Sequence, residues 1–175
     1  EVTPILLGNP DKISIYLEIE GILEGYEVID PKAYPQFEEM VVSLVERRNG
    51  KMTEEEARQV LTEDVNYFGV MLVHMGIVDG MVSGAIHSTA ATVRPALQII
   101  KTRPNVKRTS GAFLMVRGTE RYLFGDCAIN INPDAEGLAE IAINSAITAK
   151  MFGIDPKIAM LSYSTKGSGF GESVD

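Results

Sequence analysis

The stretch VDGMVSGAIHSTAATVRP, residues 78–95, decides how this chain is read. Val78 to Val82 has the apolar character of an interior strand. The residues that follow supply glycine, hydroxyls, one histidine and one arginine, with no acidic side chain among residues 83–95. An apolar strand that opens into such a loop and then into a helix suits an α/β sheet, where ligands sit outside the carboxyl ends of the strands. Glycine lets backbone approach an anion, hydroxyls donate to it, and a helix amino terminus adds unpaired N–H groups. A second segment, SYSTKGSGFG at 162–171, follows another apolar run, Lys157 to Leu161, in the same way.

Outward from these two loops, strand and helix alternate. Ile5 to Leu7 reads as a short buried strand, and Gly8-Asn9-Pro10-Asp11 as a turn into a helix with Ile13, Ile15, Leu17 and Ile19. Val28 and Ile29 form another short strand. From Tyr34 the spacing becomes helical, with Phe37, Met40, Val41, Leu44 and Val45 on one face and Gly50 as the stop. Thr53 with Glu56 is a capping box, since each side chain can satisfy a free amide of the other's residue. An apolar helix then spans about 66–74 and ends at Gly76. Ser110 to Arg117 and Arg121 to Ile129 are β-rich runs joined through Gly118, Thr119 and Glu120, which reads as a hairpin. Asn132 before Pro133 predicts an N-cap, with Leu138, Ile141, Ala142, Ser145, Ala146 and Ala149 at helical spacing and Gly153 as the stop. This alternation predicts an α/β architecture with a largely parallel sheet, the hairpin being the exception. The polar turn Lys101 to Asn105 is the expected domain boundary, giving domains 1–103 and 104–175.

The chain has 175 residues, of which 45% are hydrophobic, enough for a sizeable core. Its net charge of -8 argues against a nucleic-acid ligand, which demands a basic footprint. An anion must therefore be captured locally. No apolar run approaches a membrane span and no signal-peptide pattern opens the chain, so the reading is cytoplasmic, with no membrane partner. One cysteine excludes a disulfide framework and a cysteine zinc site. Both ends read as cuts, and a longer polypeptide is expected.

Candidate chemistry follows from residue type. Arg94 offers a planar fork of donors suited to phosphate oxygens, with a surface helix arginine as the alternative. Ser88 and Thr89 could contact the same ligand or cap a helix. Arg47 and Arg48 read first as the solvated carboxyl end of a helix. The second loop lacks the order of a P-loop, so nucleotide hydrolysis is a poor fit. Cys127, in an apolar run beside Asp126, reads as a structural cysteine rather than a nucleophile. His74 and His87 are isolated and make no metal site; His87 could orient a substrate or serve behind it.

Three ordered motifs go further than either loop. VDGMVSGAIHSTAATVRPALQIIKT, YLFGDCAININPDAEGLAEIAINSAITAKMFGI and PKIAMLSYSTKGS, together with ERRNGKMTEEEAR, resemble the phosphate acetyltransferase family over nearly the whole chain. The resemblance implies reversible acetyl transfer between coenzyme A and inorganic phosphate, with acetyl-CoA, phosphate and acetyl phosphate as reactants. Coenzyme A is then a substrate, and no cofactor is expected. It also implies two αβα domains of the isocitrate/isopropylmalate dehydrogenase-like fold with a cleft between them, and a homodimer. The family's arginines fall on Arg94, as a catalytic residue, and on Arg48; its substrate loops fall on Ser88, Thr89, Ser164, Thr165, Gly167 and Ser168. Ala91 departs from the family, which commonly has aspartate there. No segment matches the family's serine–arginine pair or its aspartate base, so these 175 residues alone are expected to be inactive. A butyryl-specific transferase and a non-catalytic acyl-CoA sensor are the alternatives.

Overall fold

The structure, a computed structural model, describes residues 2–22, 26–104, 106–162, 164–171 and 174. Tyr163 of the second loop, Asn105 of the expected boundary turn, and the terminal residues Glu1 and Asp175 lie outside them. The chain divides into two compact units, Glu1–Lys101 and Thr102–Asp175.

In the first unit, strand β1 (Ile5–Leu7) pairs in parallel with β2 (Glu27–Ile29), Leu6 standing opposite Val28. Helix α1 (Pro10–Ile19) joins them. Asn9 caps it by accepting from the Lys12 amide, and Pro10 occupies the first turn, where its missing N–H costs nothing. After a single 3-10 turn at Pro31–Ala33 come α2 (Phe37–Arg48), α3 (Glu54–Glu63), α4 (Val65–His74) and α5 (Thr89–Ile99).

The predicted face of α2 is real: Met40, Val41 and Leu44 are fully buried. They meet Ala57 and Leu61 of α3, Phe68, Met71 and Leu72 of α4, and Ile99 of α5 in one cluster. Each large apolar side chain buried there contributes about 1.5–3 kcal/mol relative to leaving it in water. Tyr34 adds an edge-to-face contact on Phe68, with ring centroids 5.3 Å apart.

The boundaries are partly as read. The capping box at Thr53 is complete: Glu56 N–H donates to the threonine hydroxyl and Thr53 N–H to the glutamate carboxylate. α2 ends one residue earlier than expected, because Asn49 itself takes the left-handed conformation (φ 50°) before Gly50 (φ 78°). α4 begins behind Asp64, whose carboxylate accepts from the Asn66 and Tyr67 amides.

Residues 78–82 form no strand. The chain bends at Val78 and Asp79, and the segment has no ladder partner, since β1 and β2 pair only with each other among the described residues. What the apolar character of this segment reflects is packing: Val78 and Met81 rest on the helical core, while Val82 is fully exposed.

In the second unit, β3 (Ala112–Arg117) and β4 (Glu120–Gly125) form the predicted antiparallel hairpin, in register from Ala112 opposite Gly125 to Arg117 opposite Glu120. The loop is thus two residues, Gly118-Thr119, with glycine at φ 60° where a side chain would be strained. Helix α6 (Ala135–Met151) packs along β4. Gly125 permits that approach: a Cβ there would lie 2.5 Å from the Ser145 hydroxyl oxygen.

The cap of α6 is Asp134, not Asn132; its carboxylate accepts from the Gly137 amide at 2.8 Å and from Arg108 at 3.1 Å. Lys157 to Leu161 is not a strand either, and has no ladder partner. The observed class is a mixed α/β protein with one small parallel and one small antiparallel sheet.

Candidate functional site

In the first unit the loop from Val82 delivers Ser88 as the N-cap of α5. Its hydroxyl oxygen accepts from the Ala91 amide at 3.2 Å, and its carbonyl accepts from the Thr92 hydroxyl. The capping reading of Ser88 therefore holds. Thr89, the first residue of α5, is exposed. Arg94 is exposed on the same helix, and the adjacent Pro95 is buried. Because proline lacks an N–H, the carbonyl of Ala91 loses its usual helical donor, adding polarity to the amino-terminal end of α5.

The two arginines that end α2 do different work. Arg47 reaches across to α5 and donates to the carbonyls of Ile99 and Ile100, the latter at 3.1 Å, so it caps the carboxyl end of that helix rather than lying in solvent. Arg48 is half-buried, and its Nε is buried with no hydrogen-bond partner among the described residues.

Tyr67 of α4 links the two predicted arginines. Its hydroxyl donates to Gln98 Oε1 at 2.7 Å, and Gln98 lies one helical turn from Arg94 on α5. Burial pushes the phenol pKa up, while the positive charges of Arg48 and then Arg94 pull it back and Asp64 pushes it up again. Two guanidinium groups from different helices thus bear on one phenol. Neither Tyr67 nor Gln98 stood out in the sequence, where NYFGV reads as apolar helix; the polar Gln98 at the i+4 position from Arg94 was the available signal.

Two of the clefts in this unit bear on the question. One of about 830 Å³ is lined by Tyr34, Met75 and Ile77 with Glu27, Asp30 and Glu39; it holds none of the predicted residues, and its carboxylates repel an anion. The other, about 620 Å³, includes His87 and Lys51 but also Glu56, Glu63 and Asp64, so it too is net acidic. Neither cleft suits an anion on charge alone. His74 is half-buried; burial lowers its pKa and Arg47 lowers it further, so it is neutral at pH 7 and offers no cation.

In the second unit residues 164–171 form a turn. Lys166 (φ 52°) and Gly167 (φ 80°) are left-handed in succession. Ser168 N–H donates to the Thr165 carbonyl at 3.1 Å, and Thr165 N–H to the Ser168 hydroxyl oxygen at 2.9 Å. Ser164 accepts from the Gly169 amide at 3.1 Å. These hydroxyls hold the loop through their lone pairs and keep their own protons to donate. Thr165 and Gly167 are exposed.

At the foot of the hairpin, Asp126 gathers amide N–H groups of Gly111, Ala128, Ile129 and Asn130 together with the Asn130 side chain. Burial works to raise its pKa, but the hydrogen bonds from Asn130, Ala128 and Gly111 prevail and hold it at about 2. It is a permanent anion that organises backbone. Cys127 beside it is half-buried and unbridged. Among the described residues no cluster of His, Cys, Asp and Glu is placed to hold a metal ion, and no helix is long and apolar enough to cross a membrane.

The chain has counterparts among known proteins. A family model described as phosphate acetyl/butaryl transferase matches residues 2–175. A phosphate acetyltransferase of Bacillus subtilis strain 168 is 58% identical over 168 residues, 95% of this chain and 52% of that protein. One from Staphylococcus aureus strain Mu50 is 56% identical over 174 residues, 99% of this chain and 53% of that protein. Among solved structures, EutD phosphotransacetylase from Staphylococcus aureus superposes with a TM-score of 0.84 at 55% identity, covering 98% of this chain and 52% of that one. A phosphotransacetylase from Streptococcus pyogenes gives 0.84 at 60% identity, covering 96% and 52%. The chain spans about half the length of the curated relatives it matches. On sequence over essentially its whole length, and on fold, this chain belongs to the phosphate acetyl/butaryl transferase family.

Proposed function

We propose that the full-length protein is a phosphate acetyltransferase, moving an acetyl group reversibly between coenzyme A and inorganic phosphate. The observation that carries this reading is the family match over residues 2–175, supported by two cations in a chain of net charge -8: Arg48, whose Nε is buried with no partner among the described residues, and the exposed Arg94. The names of the relatives support acetyl as the acyl group. The homodimer, the cytoplasmic location and two αβα domains of the isocitrate/isopropylmalate dehydrogenase-like fold belong to the same reading.

The chemistry explains the need for cations. A phosphate oxygen attacks the thioester carbonyl, the C–S bond breaks, and the sulfur leaves with the electron pair to be protonated as the coenzyme A thiol. Negative charge accumulates on the carbonyl oxygen next to an anionic phosphate. Guanidinium groups and N–H donors already in position stabilise that accumulation without reorganising, which water cannot do. Arg94 is assigned the catalytic role, and Arg48, Ser88, Thr89, Ser164, Thr165, Gly167 and Ser168 substrate binding.

Loss of one such donor costs about 3 kcal/mol in the transition state. Arg94→Ala in the full-length protein is therefore expected to cut turnover roughly a hundredfold in both directions. The assay follows acetyl phosphate formed from acetyl-CoA and phosphate, with butyryl-CoA as the parallel substrate. Unchanged kinetics in the variant would remove Arg94 from the site, and faster butyryl transfer would change the acyl group.

A further inference from the structure

The loop that leads to Ser88 and Arg94 has no ladder to hold its root, yet it is fastened to α4 at two points one helical turn apart. At the first, Gly69 makes a notch: a Cβ there would come within 2.7 Å of the Met81 sulfur and 3.1 Å of Leu7 Cδ1, so Met81 sits against bare helix backbone. At the second, the Ser83 hydroxyl donates to Oδ1 of Asn66. Asn66 is fully buried, and its Nδ2 has no hydrogen-bond partner among the described residues. An unsatisfied buried N–H carries a desolvation cost that a leucine of similar size would not. From Phe68 to Leu72 every residue of α4 is apolar or glycine and buried, so Asn66 lies at the start of an apolar, buried run. The amide is the exception, and the Ser83 hydroxyl is what it holds.

We infer that Asn66, with Gly69 behind it, is a positioning residue that fixes the root of the 83–88 loop on α4 and so sets where Ser88, Thr89 and Arg94 meet a phosphate group. The inference rests on the transferase reading for its ligand, though not for its mechanics. The tie works through geometry alone. Met81 and Ser83, two residues apart, both reach α4, one at Gly69 and the other at Asn66. Releasing Ser83 leaves the methionine contact to hold the root of a segment in which Val82 and Ile86 are almost wholly exposed.

The test uses the full-length protein with Asn66→Leu, Ser83→Ala and the two combined. Two readouts are needed: the KM for phosphate and kcat, and the mobility of a nitroxide attached to Ile86→Cys in a Cys127→Ala background. Each single variant is expected to raise KM about fivefold, the effect of one hydrogen bond, with kcat nearly unchanged. The double variant should be no worse than the worse single, because both lose the same bond. The nitroxide should become more mobile in each, while Asn66→Leu melts no lower than the parent. An unchanged nitroxide spectrum in both singles overturns the inference, as does a mobile loop with unaltered KM, or KM effects that multiply. If the parent shows no acetyl transfer, the transferase reading fails by itself, and the nitroxide spectra alone decide whether Asn66 holds the loop.

Discussion

Arg47 and Arg48 are neighbours of the same type, yet one is structural and the other is left with a buried, unpartnered Nε. Sequence pattern could not separate them, because what distinguishes them is their partners at the end of α2: Arg47 meets the last carbonyls of α5, whereas the Nε of Arg48 is buried with no partner among the described residues. The resemblance to the family selected Arg48, but the reason Arg47 is unsuitable appears only in three dimensions. Asp126 is legible in part: DCAIN suggests a carboxylate near small residues, whereas the amides it collects come from as far back as Gly111. Its consequence is testable. A carboxyl held at about 2 when folded, against 3.8 ordinarily, binds fewer protons folded than unfolded. Its contribution, about 2 kcal/mol at most, is full above about pH 4 and disappears as pH falls through the 4 to 2 range. Urea midpoints of the parent should therefore drop over that range, whereas those of Asp126→Asn should start lower and change less. Parallel curves would contradict the assignment.

At the scale of elements, signals confined to neighbouring residues were readable and those requiring a distant partner were not. The capping box at Thr53, the hairpin turn at Gly118 and the stop at Gly153 each depend on a few consecutive residues, and all three are present. Thr53→Ala should cost about 1 kcal/mol, read as a lower urea midpoint with unchanged slope, and a loss near zero would mean the cap is satisfied by other groups. The cap of α6 moved from Asn132 to Asp134 because Asp134 also pairs with Arg108. Gly137 makes room for that pair, since a Cβ there would lie 2.5 Å from Arg108 Nη1. Proline at 133 fits either register, so local pattern was indifferent. Residues 78–82 and 157–161 looked like strands because both are apolar, but a strand exists only against a hydrogen-bonding neighbour, which composition does not supply. The loops that follow them were nonetheless placed correctly, since glycine and hydroxyl content marks a turn whether or not a ladder precedes it.

For the molecule as a whole, charge is the governing quantity. With 24 acidic and 16 basic side chains, the average field repels an anion, so binding one depends on a few cations brought together from separate helices. In the first unit α2 contributes Arg48 and α5 contributes Arg94, with Tyr67 of α4 between their influences. The two clefts described above are acidic and disfavour an anion, whereas Arg48 and Arg94 offer positive charge. If Arg48 and Arg94 act on one bound phosphate, their effects must be coupled. The measurement that tests this most directly is a double-mutant cycle of Arg48→Gln and Arg94→Gln on kcat/KM for phosphate in the full-length protein. A second substitution that costs far less than it does alone is the predicted result, because one lost arginine already releases the shared anion; losses that simply multiply would show two independent sites and contradict the account.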